Sequence, residues 1–463
     1  MITKKKFMLV LIDTLILLFI LLLSSLYPLA INTLSWLSFI VVFYVLVTLL
    51  PIRKGEGVSF SFILIYSLVI FGRVILKYVF NYIPAYDFFD TFSIFTNTSL
   101  AKALLLGLYS LLALHTGMML VNNKLVNDPE KLLYNNNNNI EVKAIKTTSA
   151  LLFFVAIIPS GLNYVTNFTQ GYGSIIEDNI DTTLGLMAGL MFPVFIILIL
   201  VERKKWAYIA GVLYYFPQLF WGARGEPILQ IVTLTFLYFK YINKKKIGIG
   251  KKILLMLGGI IVLNLFNIIK EMRKLPANIW LNDLPSLFVD SFVNSNPILE
   301  VVYEIGIALA PTAAAIEYVP SLINVQYGKT ILYSITTAVP DVFNIRPQVM
   351  SIYGNVGSLL STQADSQFGA SILQDFFVNF MWATPFFMLI VGFLVKKFSR
   401  KLAYEGDFVK LVFYSSLIYP VLWWPRSSLS YILRYFFTAV VIPMLLYYFL
   451  KKIYYQREKA HKS

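Results

Sequence analysis

Long apolar runs separated by short polar turns make up most of this chain. A bilayer core about 30 Å thick needs roughly 20 apolar residues per helical crossing. Runs of that kind fall at 7–27, 31–51, 58–80, 99–121, 148–165, 184–201, 206–221, 227–243, 252–270, 376–395, 409–424 and 428–450. The pattern predicts an all-α polytopic integral membrane protein with about twelve transmembrane helices. Two stretches interrupt it. Residues 122–147 are polar, include the run Asn135 to Asn139, and read as a flexible cytoplasmic linker. Residues 271–375 contain no clean crossing. Their most apolar part, 298-ILEVVYEIGIALAPTAAAIEYV-319, carries Glu300, Glu304, Pro311 and Glu317. A crossing there would also require a second, unseen one to preserve the charge pattern that follows. The segment therefore reads as one large extracytoplasmic region of short amphipathic helices, some dipping into the membrane. It separates spans 1–9, within 1–270, from spans 10–12 and a tail, within 376–463.

Composition supports lipid as the solvent. Hydrophobic residues make up 58% and charged residues 14%, against roughly 25% charged in a soluble domain. The net charge of +15 would suit nucleic acid, but its distribution suits a membrane surface. With the N-terminus inside, 28 of the 39 Lys and Arg fall in inner segments, and 15 of the 24 acids fall outside. The positive-inside rule then places both termini in the cytoplasm and excludes a nucleic-acid partner. There is no cysteine and there are only two histidines, His115 and His461. No disulfide framework, thiolate metal site or His-rich site can form, and neither metal nor cofactor is expected. The first apolar run contains Asp13 and no small-residue cleavage site, so it reads as a retained span.

Candidate chemistry lies where charges meet the outer membrane rim, because ionisable groups at that depth tend to face cavities. In 221-WGARGEP-227 two glycines permit a tight turn, and Pro227 suits the first helical position of the next span. Arg224 would then stand beside a helix N-terminus, a ready anion site. The bland alternative is an arginine snorkelling to lipid headgroups. Arg426 and Arg434 are eight apart near the start of the last span and should share a side of it. Arg73 and Lys77 share a face of span three. Arg273 and Arg346 lie in the outer region. Planar guanidinium forks suit phosphate oxygens, so several of these could converge on a pyrophosphate; pairing with outer acids is the competing role. Among carboxylates, Asp375 follows Ser371, a suitable helix cap, by one turn. Asp341, Asp365 and the pair Glu300 and Glu304 are further candidates, with a solvated face as the alternative. His115, near the inner end of span four, reads as a buried hydrogen-bonded histidine.

These residues resemble the Wzy-type O-antigen and capsular polysaccharide polymerases, which join oligosaccharide repeat units. The resemblance is carried by the W-G-A-R-G turn at 221–225, by the large outer loop late in the chain, and by 369-GASILQDFFVNF-380. The last is similar to the family signature G-x-S-x-x-A-E-x-Y-x-N-F. Ser371 and Asn379 match it, Asp375 stands at its Glu and Phe377 at its Tyr, while Gln374 replaces Ala. The resemblance implies a metal-independent membrane glycosyltransferase of the GT-C type. Its substrates would be undecaprenyl-pyrophosphate-linked oligosaccharides, used to build a cell-surface polysaccharide such as an O-antigen, capsule or exopolysaccharide at the outer face of the cytoplasmic membrane. Arg224 would bind pyrophosphate together with Arg73, Arg273, Arg346, Arg426 and Arg434, and Asp375 would act on the attacking hydroxyl. Membrane lipids, a chain-length regulator and a flippase are the implied partners.

Other classes compete. A lipid-linked oligosaccharide flippase should show two similar halves and no large outer insertion. An O-antigen ligase-like enzyme normally carries an outer-loop histidine, whereas both histidines here are expected inside. A dolichol-sugar-type transferase usually has acids in its first outer loop, and residues 28–31 contain none. A purely structural membrane protein is the remaining alternative.

Overall fold

The computed structural model describes residues 4–26, 29–50, 57–84, 95–121, 139–170, 183–220, 225–242, 286, 289, 296–339, 347–364, 369–405 and 407–462. All regular structure among the described residues is helical. In chain order, α1 is Lys4–Leu26, α2 Ile31–Leu49, α3 Gly57–Tyr78, α4 Asn97–Met119 and α5 Asn139–Gln170. There follow α6 Thr183–Ala188, α7 Met191–Leu200, α8 Lys205–Tyr215 and α9 Gly225–Leu237. The next group is α10 Pro297–Ile305, α11 Leu309–Tyr318, α12 Lys329–Thr337, α13 Gln348–Gly354 and α14 Val356–Ala364. The last is α15 Ile372–Phe380, α16 Thr384–Tyr404, α17 Phe408–Ser416, α18 Ile418–Trp423, α19 Leu429–Phe436 and α20 Ile442–Lys462.

Local chemistry explains where several helices start. Thr96 accepts from Ser99 N at 3.1 Å to cap α4, and Asn296 accepts from Ile298 N and Leu299 N ahead of Pro297 to cap α10. Asp407 does the same for α17. Each short side chain satisfies amides that the first helical turn leaves open.

Eight helices among the described residues are long and apolar enough to cross a membrane. Seven coincide with expected spans; the eighth is Pro297–Tyr318, α10 and α11 joined through a 3₁₀ turn. The segment placed in the outer region by sequence therefore packs into the bundle, against α3 and α4. The expected span 184–201 is a shorter apolar helix, Gly185–Leu200. Those at 206–221, 227–243 and 409–424 are short or broken helices, and 252–270 lies outside the described residues. The linker expected over 122–147 ends earlier, since α5 begins at Asn139.

Helix α4 is the axis of the bundle, touching α1, α2, α3, α11 and α16. Its tightest partner is α16. A Cβ on Gly117 would sit 2.0 Å from the Leu389 carbonyl oxygen, and one on Gly392 2.1 Å from that of Leu114. The two backbones touch, and only glycine permits it. Small residues that let helices approach this closely suit association in lipid, where apolar burial drives little. The outer ring behaves oppositely. On α1, Phe7, Leu11, Leu15, Leu18 and Leu22 are exposed, which is tolerable only against hydrocarbon.

Candidate functional site

The signature segment builds α15. Ser371 Oγ accepts from Gln374 N at 3.1 Å while Gln374 Oε1 accepts from Ser371 N, a complete capping box. Thr312 Oγ1 lies 3.0 Å from Ser371 Oγ and ties α11 to the cap. At the other end of α15, Asn379 Nδ2 donates to the Asp375 carbonyl at 2.7 Å and to Thr330 Oγ1 at 2.6 Å. Its Oδ1 accepts from Gly328 N at 2.9 Å. Gly328 takes a left-handed φ of 86° that glycine accepts freely. Ser371 and Asn379 thus lock α15 to the preceding helices, and their own bonding capacity is largely spent.

Asp375 is different. It is 4% exposed, and Oδ2 accepts the amide of Leu429, the first residue of α19. That helix N-terminus supplies partial positive charge to the carboxylate. Oδ1 is buried and, among the described residues, has no hydrogen-bond partner. Buried polar atoms are nearly always bonded, so an orphaned carboxylate oxygen marks a place where a donor is expected to arrive. Trp424 Nε1, Ser427 Oγ and Tyr431 Oη, also buried without partners, lie on the segment that meets Asp375.

The cations distribute around the same segment. Arg434 of α19 donates from Nε to the Thr337 carbonyl of α12 at 3.2 Å. Arg426 stands with its guanidinium carbon 5.7 Å from the Trp423 ring. These two arginines were expected on one helix face. Instead Trp424–Arg426 form a separate 3₁₀ turn and α19 starts only at Leu429, because Ser427 and Ser428 between them take extended backbone. Helix α3 touches this turn as well. On it Arg73 is buried, its guanidinium carbon 4.4 Å from the Tyr303 ring of α10. Glu300 on α10 is buried and not the solvated acid that its spacing suggested; Glu304 is half-buried. Arg224, Arg273, Arg346, Asp341 and Asp365 lie outside the described residues.

Sequence reading missed Glu226. It looks like an ordinary first-turn acid of α9, and only its place in 221-WGARGEP-227 hinted at more. Pro227 takes the third helical position, not the first, since α9 begins at Gly225. Glu226 Oε1 accepts from the Tyr435 hydroxyl and from Gln230 Nε2 at 3.1 Å. The hydroxyls of Tyr419 and Tyr431 lie close to this carboxylate without meeting hydrogen-bond geometry. An apolar cavity of about 800 Å³ between α5, α7 and α8 shares no residue with the cluster.

His115 is where sequence put it, in a buried network. Its Nδ1 lies 2.8 Å from Asp13 Oδ2, and Asp13 also accepts from Tyr44 and Thr116, each at 3.0 Å. Thr48 Oγ1 meets His115 Nε2 at 3.0 Å. Every group there has a partner, which marks a strut joining α1, α2 and α4.

The chain matches the family O-antigen polysaccharide polymerase Wzy over residues 7–458. No curated relative and no solved structure matches it. A match over nearly the whole length places the chain in that family of membrane-embedded glycosyltransferases. It is an integral inner-membrane enzyme that polymerises O-antigen repeat units and acts on lipid-linked oligosaccharides.

Proposed function

We propose that this family member uses undecaprenyl pyrophosphate as the lipid carrier and works without a metal, at the extracytoplasmic face, with both termini in the cytoplasm. A hydroxyl of one lipid-linked repeat unit attacks the anomeric carbon of the growing glycan. The new bond to that carbon forms as its bond to the pyrophosphate oxygen breaks. Lipid pyrophosphate departs with the electron pair, and the hydroxyl proton passes to a base. Two needs follow: cations on the pyrophosphate and a carboxylate at the attacking hydroxyl.

The observation that carries the reading is Oδ1 of buried Asp375, which has no hydrogen-bond partner among the described residues. It would accept the acceptor hydroxyl, orienting it or taking its proton, while Oδ2 stays anchored to Leu429. Arg224 is proposed to clamp the pyrophosphate, with Arg73, Arg426, Arg434, Arg273 and Arg346 as the surrounding cations. Arginine's always-charged fork supplies the neutralisation that a divalent ion supplies elsewhere. A flippase delivering the units and a regulator of chain length are the proposed partners. Helices between 296 and 364 pack beside Asp375 and are proposed to exclude water, so that a sugar hydroxyl attacks and not water.

The test is repeat-unit dimer formation in proteoliposomes given purified lipid-linked repeat units. Wild-type protein should form dimers and longer chains, equally with and without a chelator. Asp375→Asn, which keeps size but loses charge, should bind the units and form few dimers. Near wild-type rates in Asp375→Asn would remove the carboxylate from the chemistry, and loss of wild-type activity with chelator would refute metal independence.

A further inference from the structure

Gly225 and Glu226 open α9 and follow Arg224 directly in the chain. Both are fastened to one segment, 423–436. A Cβ on Gly225 would lie 2.0 Å from Trp423 Cη2, so the indole rests against the glycine backbone. One residue later, Glu226 accepts the hydroxyl of Tyr435. Tyr435 is itself packed by Tyr431 and Tyr419, with ring centroids 4.5 and 5.3 Å away. The opposite end of the same helix is held by Asp375 through Leu429. Leu429 and Tyr435 are six positions apart, about 9 Å along an α-helix.

We propose that Glu226 is a positioning residue of the polymerase: with Gly225 it pins the start of α9, directly after Arg224 in the chain, to α19, and α19 fixes the spacing from that helix start to Asp375. The proposal rests on the roles proposed above for Arg224 and Asp375. Direct, inverting displacement at an anomeric carbon holds the leaving pyrophosphate and the attacking hydroxyl on opposite sides of one atom. A short helix gripped by a carboxylate at each end is a rigid spacer suited to that. A misplacement of about 1 Å is enough to cost on the order of a hundredfold in rate. A glutamate serving only the dipole of α9 would need none of this: it would stay in solvent at the helix start, with no tyrosine on it.

Full-length protein in proteoliposomes provides the test, with initial rates of dimer formation measured across substrate concentration. Glu226→Ala and Tyr435→Phe should each lower kcat by roughly a hundredfold with little change in KM. The double variant should be no worse than either alone, because both remove the same link. Glu226→Gln keeps an oxygen for the Tyr435 hydroxyl and should restore most of the rate. Glutamine as inactive as alanine, or additive losses in the double variant, would overturn the positioning role. A second readout needs no substrate. The chain has no native cysteine, so spin labels at Ile228→Cys and Ile432→Cys report the spacing of α9 and α19. That distance distribution should be narrow in wild type and Glu226→Gln and broad in Glu226→Ala. Equal widths in all three overturn the proposal. Wild-type protein that forms no dimers while the distances behave as stated refutes the polymerase chemistry and leaves the spacer in place.

Discussion

Two buried aspartates in this protein differ in one respect, and it separates structure from chemistry. Asp13 is 1% exposed, and both its oxygens are engaged, by Tyr44, Thr116 and His115. Asp375 is almost as buried, but its Oδ1 has no hydrogen-bond partner among the described residues. Removing one partner from a buried hydrogen-bonded network leaves the others unsatisfied, at about 1–3 kcal/mol for each stranded group. Asp13→Ala should therefore lower the thermal stability of the purified protein by an amount of that order, while the rate per folded molecule stays close to wild type. A rate loss without a stability loss would contradict the strut role. Arg224 calls for the opposite outcome. Arg224→Ala should abolish long polymer in cells while the protein still inserts and folds. Arg224→Lys should rescue only partly, since a single ammonium cannot replace a bidentate fork. Unchanged polymer in both variants would remove Arg224 from the pyrophosphate site.

Among the elements, those with caps written into the chain were legible before any coordinates. Ser371 as a cap marked the start of α15 and put Asp375 in its first turns, as found; the structure adds Gln374 as the second half of a capping box. Apolar runs located seven of the eight long helices. What sequence spacing could not show were breaks and close approaches. The eight-residue spacing of Arg426 and Arg434 implied one helix, but extended backbone at Ser427 and Ser428 separates the 3₁₀ turn of Arg426 from α19. Glu226 gave no sign of its tyrosines, because Tyr435 reaches it from 209 residues away in the chain. The α4–α16 contact was equally hidden, since a lone glycine in an apolar run carries no label for what it touches. It yields a sharp expectation. Gly392→Leu would drive a side chain into the Leu114 carbonyl, and no rotamer relieves a backbone clash. Overpacking of this kind costs about 1–3 kcal/mol or more, so the variant should melt several degrees lower in detergent. Gly161→Leu on α5 is the control, because a Cβ there meets nothing within 4 Å. Equal melting temperatures for the two would mean that the helices do not touch at Gly392.

For the whole molecule, the question is which side of the membrane each end of the bundle faces. The contacts divide into two sets. One end carries Lys6 on the Val121 carbonyl, Ser59 N on Ser399 Oγ at 3.3 Å, and Thr147 Oγ1 with Tyr454 Oη at 2.8 Å. The other carries Arg73 on Tyr303, Thr96 N on Glu317 Oε2 at 3.4 Å, Asp375 on Leu429, and Arg434 on Thr337. Helix pair α10 and α11 belongs to the second set throughout. Val302 meets Gly72 near the C-terminal end of α3, and Glu317 meets Thr96 just before α4. Both anchors fall in the same half of the bundle, so the pair enters and stays there, although its length and apolarity would suffice for a crossing. The segments around 203–205 and 244–246, dense in Lys and Arg, should then face the cytoplasm by the positive-inside rule. Reporter fusions after Lys205 and Lys246 should read cytoplasmic, and a fusion at Asn324 should read extracytoplasmic. A cytoplasmic signal at Asn324 would mean that Pro297–Tyr318 crosses after all. It would also put Asp375, Arg434 and the whole cluster around α19 on the wrong side for chemistry at the outer face.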